Sequence, residues 1–206
     1  MKQKFLDFCL NLIHQTHPEY SGTEMDELRY GLEGFYLTIT KMIVIMGLAI
    51  FLNCLKETLL LLLLFNILRT TGFGLHASKT WICLLSSSFT FLLGPFVARI
   101  LTVPFYMKLI LGISGILLTY AYAPADTEKR PLIKKKKRDL YKFITTVSCI
   151  VLVSLMLFTK NELISNLILI AIYIEISFIH PWTYKLFHFQ YNNYRYYHSP
   201  SSLEQN

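Results

Sequence analysis

The sequence predicts an all-α membrane protein with about six hydrophobic helical segments, one or two of them short or re-entrant, and a short amphipathic N-terminal helical region. Three observations lead to this class. Apolar residues make up 53% of the 206 residues and charged residues only 16%, a balance that soluble domains rarely carry. Apolar runs of membrane-spanning length recur along the chain. Most of the cations lie outside these runs.

The apolar runs give the positions of the spans. A helix that crosses the hydrocarbon core needs ~20 mostly apolar residues. Five runs of that order are present, at 35–55, 81–101, 102–123, 143–159 and 162–180. A sixth run, 58–68, is shorter, which suits a broken or re-entrant segment, or a helix completed by the weakly polar residues that follow. We therefore expect a membrane domain over 35–185.

The region 1–34 differs in kind, because its apolar residues recur at helical spacing with polar residues between them. Its apolar face consists of Phe5, Leu6, Phe8, Cys9, Leu12 and Ile13. This pattern predicts an amphipathic helix in the membrane interface, or equally a short helix packed on other membrane segments. Thr23, followed by Glu24 and Asp26, predicts an N-cap and an acidic first turn for a second helix that leads to the first span.

The distribution of Lys and Arg predicts the orientation, because cationic loops stay on the cytoplasmic side of a membrane. With the N-terminus inside, six crossings also place the stretch 69–80, the basic loop 124–142 and the polar tail 186–206 inside. The outer cations are then Lys56, Arg99, Lys108 and Lys160, which leaves 16 of the 20 Lys and Arg residues inside (20 minus 4). We expect a multi-pass protein of the cell membrane, with the lipid bilayer as a partner.

Several classes of chemistry lack their motifs. The six histidines do not show ligand spacing on one helix and no CxxC pair occurs, so neither a metal nor another cofactor is expected. The basic loop is one short run without interleaved aromatic residues, so nucleic acid is not an expected partner. Cys54, Cys83 and Cys149 lie in apolar helical pattern, which is typical of small core residues.

A polar stretch at 69–83 interrupts the apolar pattern. Gly72 and Gly74 are unfavourable inside a helix, by roughly 1 kcal/mol each relative to Ala, and so predict a break in the backbone. His76 alone is typical of an interface histidine, and Cys83 alone of an inert buried thiol. Together they suggest a different chemistry, because a thiolate nucleophile at membrane depth needs a nearby imidazole or a helix N-terminus.

The spacing of His76 and Cys83 constrains the backbone between them. Seven positions of a straight helix span ~10.5 Å, too far for the ~3 Å contact of a nucleophile and its base. We therefore predict that a helix begins near Ser78 or Thr80, preceded by a loop over 72–77. A helix running without interruption from 69 to 90 would contradict this geometry.

A second polar stretch follows at 122–138. Its lysine run is typical of a cytoplasmic anchor that contacts anionic lipid. Its first half is less generic, because Pro124 and Pro131 bracket a rigid segment of mixed charge. Asp126 is placed to orient His76, and the charged side chains of the stretch are candidates to bind a substrate: Asp126, Glu128, Lys129, Arg130, Lys134, Lys135, Lys136 and Lys137.

Two motifs carry a resemblance to a known family. The patterns Arg69-x4-Gly74-x-His76-Ala77-x5-Cys83 and Ala123-Pro-Ala-Asp-Thr-Glu-Lys-Arg-Pro131 resemble the accessory gene regulator protein B (AgrB) family, membrane cysteine endopeptidases of Gram-positive quorum sensing. The resemblance covers most of the chain. One departure is Phe73, where many members carry a second glycine; Gly72 compensates for it.

The resemblance implies a role for each motif residue. Cys83 would be the nucleophile and His76 its partner, with Arg69, Gly72 and Gly74 as supporting or oxyanion candidates. The substrate would be an AgrD-type propeptide, cut before its acidic tail through an acyl-enzyme thioester and then closed into a cyclic thiolactone or lactone. The resemblance also implies a homodimer, with the active site on the cytoplasmic side.

The residues leave one alternative open. In a small membrane transporter or channel, Arg69, His76 and Asp126 would line a polar path, as intramembrane ionisable residues do. That class predicts polar residues spread through several spans, whereas the spans here carry little besides Asn53, Asn166 and Glu175.

Overall fold

A computed structural model gives the fold of residues 2–16, 22–75, 80–127 and 131–196. These residues are almost entirely helical and form no strand that extends beyond an isolated bridge. In chain order the helices are α1 (Lys2–Thr16), α2 (Thr23–Phe51), α3 (Leu55–Gly72), α4 (Thr80–Ile100), α5 (Phe105–Tyr122), α6 (Lys135–Phe158), α7 (Glu162–Ile179) and α8 (Pro181–Leu186), followed by a short 3₁₀ turn at Asn193–Arg195. The all-α prediction is confirmed.

The chain divides into two compact units, Met1–Phe51 and Leu52–Asn206. In the first unit α1 packs on α2. Leu6 and Leu10 are buried, while Phe8 on the same helix is 68% exposed. Lys2 forms an ion pair with Glu33 at 2.5 Å. The predicted lead-in and first span are one continuous helix, and Glu24 and Asp26 lie in its first turn as expected.

In the second unit, α7 is the central helix. It contacts α3, α4, α5 and α6, and more than half of its residues are buried. Asn166 of α7 donates from its side-chain amide to the carbonyl oxygens of Ala98 and Leu101, which fixes the end of α4 against it. The polar residues of this bundle therefore tie helices together.

Within the described residues, four helices are long and apolar enough to cross a membrane: Glu24–Phe51, Phe105–Tyr122, Lys135–Phe158 and Glu162–Ile179. A shorter apolar helix covers Leu84–Ile100. The short run 58–68 proves to be the middle of α3, which continues to Gly72. The helix α3 extends this run at both ends, to a length of ~27 Å at 1.5 Å per residue.

The second half of the predicted basic loop 124–142 is helical, because α6 already begins at Lys135. Lys and Arg have good helix propensity, so a cationic run need not be a loop. Arg138 donates to the carbonyl oxygens of Leu132 and Ile133, just before the helix, at 2.7 and 2.8 Å. These bonds join the start of α6 to the segment that precedes it.

Candidate active site

The polar stretch 69–83 lies where α3 ends and α4 begins. The helix stops at Gly72, and Phe73 takes a positive φ of 60°. The next helix begins at Thr80, so Cys83 is the fourth residue of α4. The predicted helix start near Thr80 is confirmed, and the predicted break is present at 73–75. Gly72 is still the last residue of α3, and positions 76 and 77 of the predicted loop lie outside the described residues. The physical reason is the one expected from the sequence, since Gly72 and Gly74 disfavour continuation of α3.

The backbone after α3 is held by two other parts of the bundle. The N–H of Gly74 donates to the carbonyl oxygen of Ala125 at 2.8 Å. The N–H of Ala125 donates to the carbonyl oxygen of Gly72 at 2.9 Å. These bonds form an isolated parallel bridge between Phe73 and Ala125. The N–H of Leu75 donates to Phe178 at the end of α7, at 3.0 Å. The segment leading to His76 is thus fixed by its own backbone groups.

Gly74 is required at its position for two reasons. Its φ is +94°, a conformation that L side chains rarely adopt. A Cβ atom there would lie 2.8 Å from the carbonyl oxygen of Phe178 and would also collide with the guanidinium of Arg69. The residue therefore permits the close approach of α3, α7 and the Arg69 side chain.

Arg69 supports the same segment from the last turns of α3. Its Nη2 donates to the carbonyl oxygens of Gly74 and Leu75 at 3.1 and 2.7 Å. Its guanidinium carbon lies 5.1 Å from the centre of the Phe178 ring, within cation–π range. The Nη1 atom lies 3.7 Å from Oε2 of Glu175. Arg69 thus combines one buried countercharge with two carbonyl contacts immediately before His76.

Glu175 is the residue whose role the sequence did not reveal. The sequence does contain a signal for it, since an acidic residue within an apolar helix is a functional candidate by default. The sequence gives no means of identifying its partner, which lies on a different helix. Glu175 is fully buried on α7, and a Cβ atom at Gly72 would lie 2.5 Å from its Oε1. Gly72 therefore makes space for this carboxylate.

Asp126 contacts backbone N–H groups of its own loop and of the C-terminal segment, defined here as residues 181–196. Its Oδ1 accepts from Asn193 at 2.8 Å, and its Oδ2 accepts from Tyr194 at 2.8 Å and from Leu132 at 3.2 Å. The residue is 2% exposed. These contacts occupy both carboxylate oxygens and join the loop of Asp126 to the C-terminal segment.

The C-terminal segment also packs on the loop that contains Asp126. The hydroxyl of Tyr184 donates to the carbonyl oxygens of Ala125 and Asp126, both at 3.2 Å. The hydroxyl of Tyr191 donates to the backbone carbonyl oxygen of Tyr122 at 3.3 Å. Burial raises the pKa of Tyr184 above its ordinary range and raises the pKa of Tyr191 to about 12. Both hydroxyls therefore remain protonated donors at physiological pH.

Comparison with known proteins identifies the family to which the chain belongs. The model of accessory gene regulator B matches residues 8–179, which is most of the chain. This chain belongs to the accessory gene regulator B family. Membership implies a part in the agr quorum-sensing system and an AgrD-type substrate.

Individual relatives of the AgrB family agree with this assignment. An AgrB-like protein of Clostridium acetobutylicum is 34% identical over 178 residues, covering 86% of this chain and 85% of the relative. An AgrB-like protein of Listeria monocytogenes is 33% identical over 173 residues, with coverages of 83% and 84%. Accessory gene regulator protein B of Staphylococcus intermedius is 32% identical over 144 residues, covering 66% of this chain and 77% of the relative. No solved structure matches the chain.

The structure brings together some of the residues expected for an AgrB family member. Arg69, Gly72 and Gly74 meet at the end of α3, together with Glu175. His76 and three of the substrate-binding candidates, Glu128, Lys129 and Arg130, lie outside the described residues. For Cys83 the structure describes the helix but not the side chain. Four lysines are exposed where α6 begins: Lys134, Lys135, Lys136 and Lys137.

Among the described residues, no group of three or more His, Cys, Asp or Glu side chains is arranged to hold a metal ion.

Proposed function

We propose that this protein is a membrane-embedded cysteine endopeptidase that cleaves the C-terminal tail from an AgrD-type propeptide, with Cys83 as nucleophile and His76 as its base. The observation that carries the proposal is the position of Cys83 in the first turn of α4. The positive end of a helix dipole stabilises a thiolate and so favours an activated cysteine. The motif that this cysteine completes is one of the two on which the family resemblance rests.

The proposed reaction proceeds in two acyl transfers. His76 takes the proton of Cys83, and the thiolate attacks the carbonyl carbon before the tail. The C–N bond breaks, the tail amine leaves with a proton from His76, and the peptide remains bound as a thioester. A Cys or Ser side chain of the peptide then attacks this thioester and gives its proton to His76. The Cys83–acyl bond breaks, which releases the Cys83 thiolate and a cyclic thiolactone or lactone.

The energetics of these two acyl transfers favour a slow or reversible first step. Forming a thioester from an amide is uphill, whereas exchanging one thioester for another is nearly balanced. We expect removal of the tail and export of the ring to draw the reaction forward. Exclusion of water protects the acyl-enzyme until the internal nucleophile attacks, and a site at membrane depth supplies that exclusion.

The supporting residues have distinct proposed roles. Arg69, Gly72 and Gly74 hold the backbone that leads to His76, and backbone N–H groups at the start of α4 are candidates to stabilise the oxyanion. Glu128, Lys129, Arg130 and the lysines at 134–137 are proposed to bind the propeptide, the cations through its acidic tail. The protein is further proposed to act as a homodimer in the cell membrane, with the N-terminus, the active site and the basic segment on the cytoplasmic side.

Transport is less well supported than peptidase activity. Three of the polar side chains in the described bundle are engaged in specific contacts: Glu175 with Arg69, Lys108 with Glu162, and Asn166 with the end of α4. These contacts join helices and do not form a series of open polar groups along a path.

The deciding experiment is co-expression with an AgrD-type propeptide and measurement of tail release in membranes. We expect Cys83→Ala and His76→Ala to abolish release while membrane insertion is retained. Cys149→Ala is the matched control, because Cys149 is buried in α6 with Thr119 as its hydrogen-bond partner, and it should retain release. Continued cleavage by Cys83→Ala would refute the peptidase assignment.

A further inference from the structure

Glu175 is a charged residue at the centre of the bundle that the proposed chemistry does not use. It is 0% exposed, and its side chain faces the last turns of α3. Among the described residues its ionic contact is with Arg69, whose Nη1 lies 3.7 Å from Oε2. A buried carboxylate without such a contact would be strongly unfavourable, so its presence needs a reason.

We propose that Glu175 is a positioning residue for the candidate active site and acts through Arg69. This inference rests on the proposed function. The carboxylate holds the guanidinium in place, and the guanidinium holds the backbone carbonyls of Gly74 and Leu75. Leu75 directly precedes His76 in the chain, so its backbone sets where the proposed base begins.

The geometry gives α7 two independent contacts with this backbone. The first is the series from Glu175 to Arg69 at 3.7 Å and from Arg69 to the Leu75 carbonyl oxygen at 2.7 Å. The second is the bond from the Leu75 N–H to Phe178, one turn after Glu175, at 3.0 Å. The backbone N–H and the carbonyl oxygen of Leu75 are thus both fixed relative to α7.

Gly72 provides an independent way to disturb Glu175 without removing a charge. A Cβ atom at Gly72 would lie 2.5 Å from Oε1 of Glu175 and 3.4 Å from a methyl group of Thr145. Gly72→Ala therefore forces the carboxylate to move. Glu175→Asp shortens the side chain by one methylene group and restores the space that the alanine occupies.

The first test uses Glu175→Gln, which keeps the shape of the side chain and removes its charge. Propeptide cleavage is measured at several propeptide concentrations in vesicles, beside Glu162→Gln as the matched control, since Glu162 also lies on α7 and pairs with Lys108 at 2.6 Å. We expect Glu175→Gln to lower kcat by about tenfold or more with little change in KM, because misplacing a reacting group by ~1 Å has effects of this size. Glu162→Gln should leave both constants near wild type.

The second test asks whether Glu175 acts through Arg69. Combining Glu175→Gln with Arg69→Met should lower kcat no further than Arg69→Met alone, because the two residues form one series of contacts. If the two effects multiply in full, Glu175 does not act through Arg69 and the proposal is overturned.

The third test keeps the proposal falsifiable if Glu175→Gln fails to fold. Gly72→Ala should lower kcat, and Glu175→Asp in the same chain should restore part of it. Absence of any restoration in a folded double variant would count against the proposal, as would a wild-type kcat for Glu175→Gln. Cys83→Ala in the same vesicles distinguishes failure of the proposed function from failure of this inference. If Cys83→Ala still cleaves the propeptide, the proposed function fails. If Cys83→Ala is inactive while Glu175→Gln cleaves normally, only the positioning role of Glu175 fails.

Discussion

Gly74 shows at the scale of one residue how closely the candidate site is packed. Its positive φ and its contacts with Phe178 and Arg69 exclude any larger side chain. We predict that Gly74→Ala reduces propeptide cleavage to below about a tenth of wild type, because the peptide before His76 has to move. The measurement is tail release per amount of folded protein.

Gly47→Ala is the control for this prediction. Gly47 lies inside α2, and nothing lies within 4 Å of a Cβ atom added there. Alanine is favoured over glycine in a helix by about 1 kcal/mol, so this variant should cleave normally and be slightly more stable. Equal activity of Gly74→Ala and Gly47→Ala would contradict the packing argument.

The individual residues of the site differ in how far the sequence predicted them. Gly72 and Gly74 predicted the break because glycine inside a helical pattern has a local cost that needs no tertiary information. The pairing of Arg69 with Glu175 needed the arrangement of α3 and α7, which no local pattern contains. Asp126 was assigned to the substrate or to His76 from its position in a charged loop, whereas the fold places backbone N–H groups around it.

At the scale of the element, the loop before α6 depends on Asp126. We predict that Asp126→Asn lowers the stability of the second unit by about 1–3 kcal/mol, because the asparagine amide turns a donor toward a backbone N–H and leaves one buried group unsatisfied. Thermal unfolding in detergent, followed with a fluorescent probe of cysteine exposure, measures this change.

Asp139→Asn is the matched control for Asp126. Asp139 is exposed on α6, and removal of a charge there is expected to change stability by no more than about 0.5 kcal/mol. If Asp126→Asn and Asp139→Asn both unfold at the same temperature as wild type, the contacts of Asp126 do not contribute to stability.

The first turn of α6 allows a test of the proposed binding of an acidic tail. Replacing Lys135, Lys136 and Lys137 with Gln should raise KM for the propeptide at low ionic strength, and the difference should shrink as salt screens the charges. The same change should slightly stabilise α6, because cations are unfavourable at a helix N-terminus. Kinetics at several salt concentrations provide the measurement.

The control for the lysines uses two cations that the predicted topology places on the other side of the membrane. Lys56 and Lys160 are both exposed, and their replacement with Gln should leave KM unchanged at every ionic strength. If the triple variant behaves in the same way, the lysines of α6 serve only as an anchor to lipid.

The start of α6 also shows why element boundaries were harder to predict than the elements. A cationic run was interpreted as loop because the apolar pattern begins only after it. Charge pattern reports where a helix meets water and does not report where its backbone begins. The continuous helix α2 has the same explanation, since its polar first turns and its apolar part belong to one element.

At the scale of the whole molecule, the predicted orientation can be tested directly. In a chain without native cysteines, a cysteine at position 160 should react with a membrane-impermeant maleimide in intact cells. A cysteine at position 136 should react only after the membrane is opened, because positively charged segments are retained inside. Labelling in the reverse order would place the basic segment outside and would separate it from a cytoplasmic propeptide.

The sequence predicted the whole-molecule architecture well because lipid imposes strong constraints. Every backbone group in the hydrocarbon region must be satisfied within its own helix, so apolar runs of sufficient length have one stable form. How the helices pack was not predictable in this way. The central position of α7 follows from contacts with several helices, and the Arg99–Glu57 and Lys108–Glu162 pairs join helices that the hydropathy pattern does not relate.

The contacts of Asp126 have a consequence for how the protein is made. Two of its three N–H donors, and the tyrosine hydroxyl that binds the same loop, come from residues 184–194, which leave the ribosome after α7. In a nascent chain, the segments around Gly74 and Ala125 are therefore present before the residues that form these contacts have been synthesised. Premature termination after α7 would leave a product that still inserts into the membrane but lacks these contacts. Assembly of these contacts thus waits until the C-terminal segment has been translated.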